Sequence, residues 1–505
     1  MEEPEMDKPL QEKCGIVGVF STKYSHQTRL ALLAAGGVQH RGAQGAGLVT
    51  RTEKKLVKHT GDGLLKEIFT PKIVDQFNKP ALWTIVHCRY GTHGGYHKNN
   101  LQPCLVQSPN GDKVAVAHNG EFVAIDDLKK KIGGRLPPGA SDTYLFSQFL
   151  SRLKGKNWDE KITTALSQVK GAYSLIVGID DTLYLARDNL GIRPLIIGRV
   201  KDKWVATSET HALDKIGAKV IRQLKRGELV KISKSGLKVI KQGAGGMGNF
   251  CDFEWAYFSR PDSLIPTYET TGVERQPQNW LSVARFRERC GAILAREKPI
   301  KKASFVVGAP DSGIALAMGY ANEADLPYRQ VIIRDHFDPN GNQRLFMRDD
   351  QIKRIKRKIL GKLSLVPDRE IWKDAVVVIG DDSIVRGNVT SKITKAIFSL
   401  GAKEVHWIIG FPPVAHRCFL GVSIRTGEEL LANKLAGNIK RITRKIGATS
   451  VNYISHRGFI QARFMYTKVK TPKNPQEIFL NNGGCGGCIT GIYPVSREGK
   501  YFYDK

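Results

Sequence analysis

Cys14 stands at the head of an apolar run, CGIVGVF (Cys14–Phe20), behind a short polar leader. Two readings suit a cysteine there. It is a small buried thiol in a strand. Alternatively, once the leader is removed, it is a nucleophile whose own α-amine, with a reference pKa of about 7.7–8.0, serves as its base. The second reading needs no separate catalytic histidine. Five segments follow in order: HRGAQGAG (His40–Gly47), HCRYGTHGG (His87–Gly95), HNGEF (His118–Phe122), SDT (Ser141–Thr143) and RDNLGIRPL (Arg187–Leu195). Singly they are ordinary, since Asn-Gly is a common turn signal. Together they hold what amide cleavage requires. Asn119 and the Gly120 N–H can donate to a developing oxyanion. Arg89 and Asp142 offer a cation and an anion to a substrate bearing an α-carboxylate and an α-ammonium.

A second constellation is VVVIGDDSIVRGNVTSK (Val376–Lys392). A buried strand ends in two adjacent carboxylates, Asp381 and Asp382, and a loop then opens a helix. Such carboxylates can accept hydrogen bonds from vicinal sugar hydroxyls. The loop N–H groups and the helix N-terminus can hold a phosphate. An ordinary capping aspartate would not need a second carboxylate beside it. GAPDSGIA (Gly308–Ala315) also follows a buried strand. Eight cysteines are present, and Cys485 and Cys488 form a CxxC pair. In a long chain with no apolar h-region at its start, thiols, ligands or nucleophiles are expected rather than disulfides.

The ordered first-half motifs resemble the glutamine-hydrolysing domain of the N-terminal-nucleophile amidotransferases. Val376–Lys392 resembles the phosphoribosyl-diphosphate motif of type I phosphoribosyltransferases, and Gly308–Ala315 their pyrophosphate loop. The two halves together resemble the amidophosphoribosyltransferase family, as do CDFEWAYFSRPDSLI (Cys251–Ile265) and FPPVAHRCFLG (Phe411–Gly421). The resemblance implies that glutamine, phosphoribosyl diphosphate and water give 5-phosphoribosylamine, glutamate and pyrophosphate, opening purine synthesis, with ammonia passing internally. It implies catalysis by Cys14, Asn119 and Gly120, and glutamine contacts from Arg41, Arg89 and Asp142. It places phosphoribosyl diphosphate and its Mg²⁺ at Asp311, Ser312, Gly313, Asp381, Asp382, Ser383, Arg386, Gly387 and Thr390. The family's iron–sulfur branch ligates a [4Fe–4S] cluster at positions matching Cys251, Cys418, Cys485 and Cys488. By residue type alone a Cys₄ zinc site stays open. Cys88, Cys104 and Cys290 are left as core thiols. The resemblance further implies a homo-oligomer inhibited by purine nucleotides.

Some segments depart from the family. A closing loop rich in lysine, asparagine and tyrosine is replaced by IIRDHFDPNGNQRLFMRDDQ (Ile332–Gln351), where Arg334, Arg344 and Arg348 are the available cations. Asn388 and Val389 replace two threonines, with Thr390 and Ser391 alongside, and Ala43 precedes Gln44 where the family has glutamine first. These changes lie mostly in the acceptor half. They leave open a divergent glutaminase serving another acceptor, or a non-catalytic binding protein.

These residues need elements to place them. Residues 14–240 read as short strands bounded by turns, with helices at Thr28–Val38 and Asp142–Ser151, which is an antiparallel α+β pattern. After about residue 260 the pattern changes. Ser282–Glu297 reads as a helix, SFVVGAP as a strand and SGIALAMGYANEA as a helix. YRQVIIRD, DAVVVIGDD and EVHWIIGFPP read as further strands, with a helix at Val389–Leu400. Continuous Val/Ile strands alternating with helices predict a parallel sheet, whose ligands sit at the strands' carboxyl ends. The expected divisions are a propeptide at 1–13, an αββα glutaminase domain at 14–245, a phosphoribosyltransferase domain at 246–470 and a CxxC tail at 471–505. Two or more domains suit 505 residues, at about 100–250 residues each.

A 41% hydrophobic content and a mean hydropathy of −0.28 allow a large core. No apolar run approaches the roughly 20 residues that span a bilayer. A cytoplasmic protein without membrane contact is expected. The net charge of +30 attracts polyanions. Its local clusters, Lys129–Lys131, Lys353–Lys358 and Lys440–Lys445, read as solvated faces, because no RNA-binding aromatic signature or zinc-finger spacing accompanies them.

Overall fold

The computed structural model describes residues 14–89, 100–134, 136–246, 248–268, 276–334, 363–424, 426–464 and 469–504. The leader 1–13, the end of the His87–Gly95 segment, most of Ile332–Gln351 with Arg344 and Arg348, and the Lys353–Lys358 cluster lie outside the described residues.

The first half is built on two antiparallel sheets. Their strands are β1 (Gly15–His26), β2 (Gly45–Thr52), β3 (Leu56–Asp62), β4 (Pro80–Arg89), β5 (Cys104–Gln107), β6 (Lys113–Val123) and β7 (Lys170–Ile179). Then follow β8 (Thr182–Arg187), β9 (Ile196–Val200), β10 (Lys203–Thr207), β11 (Lys219–Gln223), β12 (Leu229–Ser233) and β13 (Gly236–Lys241). One sheet runs β11-β9-β10-β1-β4-β2-β3 and the other β13-β12-β8-β7-β6-β5. Period-2 alternation divides each central strand between two cores. On β1, Ile16 and Phe20 enter the core between the sheets, where they join Ala115 and Ala117 of β6 and Ile176 of β7. Val17 and Val19 face the core shared with helix Thr28–Gly36. On the outer face of the second sheet, Val114, Val116, Leu175 and Val177 pack with helix Asp142–Arg152. The layers are therefore αββα. Both faces of β1 are covered, which explains why its motif is almost continuously apolar.

The second half carries a parallel sheet of β16 (Phe305–Gly308), β19 (Val376–Asp381), β20 (Glu404–Ile409) and β21 (Ser450–Tyr453). Val306, Val378 and Ile408 face helices Val283–Glu297 and Gly313–Ala324. Val307, Val377, Ile379 and Trp407 face helices Asn388–Ser399 and Ile439–Ile446. Two short ribbons complete the strands: β14 (Leu264–Ile265) with β15 (Leu281–Ser282), and β17 (Ile332–Arg334) with β18 (Leu363–Leu365). This is a type I phosphoribosyltransferase fold behind an N-terminal-nucleophile glutaminase fold.

Two expectations need amendment. YRQVIIRD does not extend the parallel sheet. The chain meets β16 at a single bridge, Tyr328 to Val306, and then leaves to pair antiparallel with β18. The residues on either side of Tyr328 satisfy β16, through Val306 N to Pro327 O and Arg329 N to Val306 O, and no further ladder forms among the described residues. Conversely, β21 was not anticipated, because SVNY is only four residues with polar alternates that lack a strand signature.

The tail docks through buried charge. Arg463 Nη1 lies 2.9 Å from Asp252 Oδ1, both essentially inaccessible. Asp252 Oδ2 accepts from Gly486 N at 2.9 Å, and Arg463 Nη2 donates to Asn482 O at 3.2 Å. Arg463→Met should leave the carboxylate uncompensated and cost about 3–5 kcal/mol in urea unfolding. It should also accelerate proteolysis within residues 471–504. Unchanged stability would show that the pair is dispensable.

Candidate functional site

β1 and β4 run antiparallel with Gly15 opposite Cys88, so Cys14 emerges beside Arg89. Arg89 is buried, and burial lowers its pKa, while Cys14, Cys104, Asp142 and Asp62 act in the opposite direction. Its Nη1 has no hydrogen-bond partner among the described residues. Asp142 opens helix Asp142–Arg152 behind the cap Ser141, whose Oγ accepts from Tyr144 N at 3.2 Å. Its own carboxylate accepts from Phe122 N at 3.0 Å and Thr143 N at 2.8 Å. The Cys14 thiol and the Asp142 carboxylate both lie close enough to the Arg89 guanidinium to act on its charge. A cation and an anion stand there to receive the two ends of an amino acid.

Asn119 and Gly120 lie on β6 opposite Ser174 and Tyr173. Asn119 is fully buried, yet neither amide atom has a partner among the described residues. A buried amide left open is costly, so it marks a place for a ligand or ordered water. At Gly120 φ is +140°, and an added Cβ would stand 1.9 Å from Ala172 O. Only glycine keeps this backbone there. Ile16 and Ala117, each two residues from a proposed catalytic position, belong to one inter-sheet core, which holds the two strands in fixed relation. His87, unassigned from the sequence, is pushed down to about 3, first by burial and then by Arg89. Its imidazole is neutral at physiological pH.

Arg41 lies in a buried ion cluster. Its guanidinium donates to Glu209 at 2.6 Å and to Glu254 at 2.8 and 3.1 Å, and Nε reaches Cys14 O at 3.4 Å. Arg193 also binds Glu254, at 3.0 Å. The four side chains are all buried. Sequence spacing missed this cluster. The one signal was an acid, Glu254, inside the otherwise apolar EWAYF run.

The acceptor loops leave the carboxyl end of the parallel sheet side by side, since Gly308 pairs with Gly380. Ser312 Oγ donates to the Asp382 carboxylate across the two loops. Ser383 Oγ donates to Asp382 Oδ1 at 2.6 Å, and Asp382 N to Asp381 Oδ1 at 2.9 Å. Asp381 is pushed up by burial and by the charge of Asp382. Asp382 is pushed up by burial, against the hydrogen bonds from Ser312 and Ser383. A cation or sugar hydroxyls would relieve both. Gly313 packs so closely that a Cβ would stand 2.2 Å from Gly380 O. Gly387, at φ +78°, turns the chain into helix Asn388–Ser399, with Thr390 buried in its first turn. Two cations are engaged by acids: Arg334 pairs with Asp311, and Arg386 with Glu429.

Cys251, Cys418, Cys485 and Cys488 come from three distant segments into one neighbourhood. Burial pushes Cys251 up to about 12 and Cys485 and Cys488 well above the ordinary thiol range, and Cys418 adds to all three shifts. None is in a disulfide. Leu420 N donates to Cys418 Sγ at 3.4 Å. By donor type and burial the set fits a cluster or a soft metal. As placed, no three His, Cys, Asp or Glu side chains among the described residues form a group able to hold a metal ion. No described helix is long and apolar enough to cross a membrane.

Glu209 and Glu254 both titrate below the ordinary range. Burial alone would raise them, but His40 and Arg41 at Glu209, and Arg41 and Arg193 at Glu254, outweigh it. Such a carboxyl adds stability that is complete above its unfolded pKa, about 4.3, and is lost as pH falls through the folded value. The unfolding free energy of wild type minus that of Glu254→Gln should be constant above about pH 5 and shrink below about pH 4, read by tryptophan fluorescence in urea. A difference that grew on acidification would contradict the assignment.

Comparison with known proteins agrees with this geometry. The glutamine amidotransferase domain family matches residues 94–215. The amidophosphoribosyltransferase of Bacillus subtilis is 33% identical over 490 residues, covering 97% of this chain and 95% of its own. That of Rattus norvegicus is 34% identical over 537 residues, covering 97% and 98%. A solved glutamine phosphoribosylpyrophosphate amidotransferase from B. subtilis, complexed with ADP and GMP, superposes with a TM-score of 0.81 at 31% identity, covering 97% of this chain and all of that one.

Proposed function

The chain belongs to the amidophosphoribosyltransferase family, and from that premise we propose how its own residues carry the reaction. The enzyme converts glutamine, phosphoribosyl diphosphate and water to 5-phosphoribosylamine, glutamate and pyrophosphate, the first step of purine synthesis. The supporting observation is the Asn119 amide, buried and unpartnered among the described residues on the strand that also carries Gly120.

With residues 1–13 removed, the Cys14 amine takes the thiol proton as Sγ attacks the glutamine amide carbon. Asn119 and the Gly120 N–H hold the oxyanion. Collapse breaks the C–N bond, the protonated amine returns the proton to the leaving nitrogen, and ammonia departs. Water then cleaves the thioester to glutamate and restores the thiol. Arg89 faces the substrate carboxylate and Asp142 its ammonium. Cys14 has φ +66°, a value uncommon for a non-glycine residue; loss of the preceding peptide abolishes that constraint. Arg41 holds the Cys14 carbonyl at 3.4 Å.

In the second half, Asp381 and Asp382 receive the ribose hydroxyls, while Ser383, Arg386, Gly387 and Thr390 frame the 5-phosphate loop. Asp311, Ser312 and Gly313 frame the pyrophosphate, which enters with Mg²⁺. Ammonia attacks C1 and pyrophosphate leaves. Cys251, Cys418, Cys485 and Cys488 would hold a [4Fe–4S] cluster that clamps the tail; zinc on the same thiols is the second reading. Purine nucleotides as inhibitors, a homo-oligomer and a cytoplasmic setting complete the proposal. The first is supported by the B. subtilis relative seen with ADP and GMP.

Anaerobically purified protein should release glutamate and pyrophosphate in equal amounts; glutamate without pyrophosphate would point to another acceptor. Cys14→Ala should lose glutamine-dependent synthesis by about 10³-fold or more and retain synthesis from free ammonia. Elemental analysis should find iron that Cys485→Ser loses. Zinc in its place would favour the second reading, and neither metal would remove both.

A further inference from the structure

Arg41 is a fully buried cation of the glutaminase half, and part of what encloses it comes from elsewhere. Glu254 lies beyond β13, in the segment leading to the parallel-sheet domain. Its two oxygens take Arg41 Nη2 at 2.8 Å, Arg41 Nη1 at 3.1 Å, Arg193 Nη1 at 3.0 Å and Ser259 Oγ at 3.2 Å. Glu209 takes the other side of Arg41, and is itself held by His40 at 2.8 Å, Ser263 Oγ at 2.6 Å and Arg260 N at 3.0 Å. Arg193 continues to Leu420 O at 3.1 and 3.3 Å, lying so close to Gly421 that a Cβ there would stand 2.3 Å from its guanidinium. The fork geometry of Arg41 is therefore fixed from both sides. Its Nε donates to the carbonyl of Cys14 at 3.4 Å.

An N-terminal nucleophile has a particular need for such a contact. Once nothing precedes Cys14, its residue is anchored from the C-terminal side alone. The amine must stay turned toward Sγ to exchange the proton, and a hydrogen bond to the same residue's carbonyl restrains that rotation. We propose that Glu254 is a positioning residue for Cys14: from the segment that leads into the phosphoribosyl-binding half, it orients Arg41, and through Arg41 it orients the nucleophile's backbone. This rests on Cys14 being the nucleophile. It makes glutamine hydrolysis depend on correct seating of the second half, because half of the grip on Arg41 is contributed from there. The same segment continues toward the acceptor: Arg287 donates to Ser259 O at 2.9 Å and to Trp255 O at 3.3 Å.

Glu254→Gln keeps the size of the side chain but turns one acceptor into a donor facing two guanidinium groups, so Arg41 should tilt toward Glu209. The experiment compares glutamine-dependent with ammonia-dependent phosphoribosylamine formation in the full-length, leader-free enzyme. The ratio should fall about 10- to 100-fold, through kcat, with the glutamine KM changed less than about threefold. Inactivation of Cys14 by a glutamine-like diazoketone should slow in parallel. Glu254→Asp, which retains the charge with a shorter reach, should recover part of the ratio. It also serves as the test variant if the glutamine form does not fold, with a ratio below wild type expected. A ratio equal to wild type in both variants, or equal loss of the two activities, would overturn the inference, since a merely structural pair would weaken both halves together. Wild-type enzyme that failed to hydrolyse glutamine would instead bring down the functional reading itself.

Discussion

A cluster of two arginines and two glutamates, wholly removed from water, joins the halves of this molecule. Arg41, Arg193, Glu209 and Glu254 balance in charge and saturate one another. Isolated burial of any one would cost several kcal/mol, so the four can exist only together. That requirement fixes the segment after β13 against the first sheet. The same cluster carries the contact to the Cys14 backbone, since Arg41 binds both acids and reaches the Cys14 carbonyl at once. Around this anchor the two chemistries are organised separately.

The glutaminase wall is prepared in advance. Gly120 has a backbone that no side chain would permit, Asn119 holds its amide open within the core, and Asp142 is pinned by the first turn of its helix. Dipoles held in this way need little reorganisation when charge develops. The acceptor wall is the opposite. Asp381 and Asp382 repel one another and sit above their ordinary titration range. Arg334 and Arg386 are already paired with acids. A ligand bringing hydroxyls and a cation would satisfy the carboxylates, so this half is arranged to be completed by substrate.

Much of this was legible in the chain itself. The antiparallel α+β pattern follows from short strands bounded by turns and the parallel sheet from Val/Ile runs separated by helices, while the αββα layering is what the family resemblance implied. The terminal carboxylates at Asp381 and Asp382 lie where strand-to-helix loops of such sheets gather ligands. The misreadings were local. VIIR of the YRQVIIRD segment has the composition of a buried strand, but whether it joins the sheet depends on the edge that β16 offers, which one bridge and a proline exhaust. SVNY carries too few apolar residues to announce β21, which is a strand because β20 leaves an edge to be paired.

By itself the sequence determined which groups were available: a thiol that can become N-terminal, donors at Asn119 and Gly120, adjacent carboxylates, and four cysteines set apart from the rest. These signals are local, because each depends on neighbours within a few positions or on one element's period. Tertiary structure alone decided that Arg41 meets Glu209, Glu254 and the Cys14 carbonyl. Its acidic partners lie 168 and 213 residues away along the chain. Electrostatic pairing inside a core depends on distance in space, and no spacing rule along a polypeptide encodes a contact of that separation.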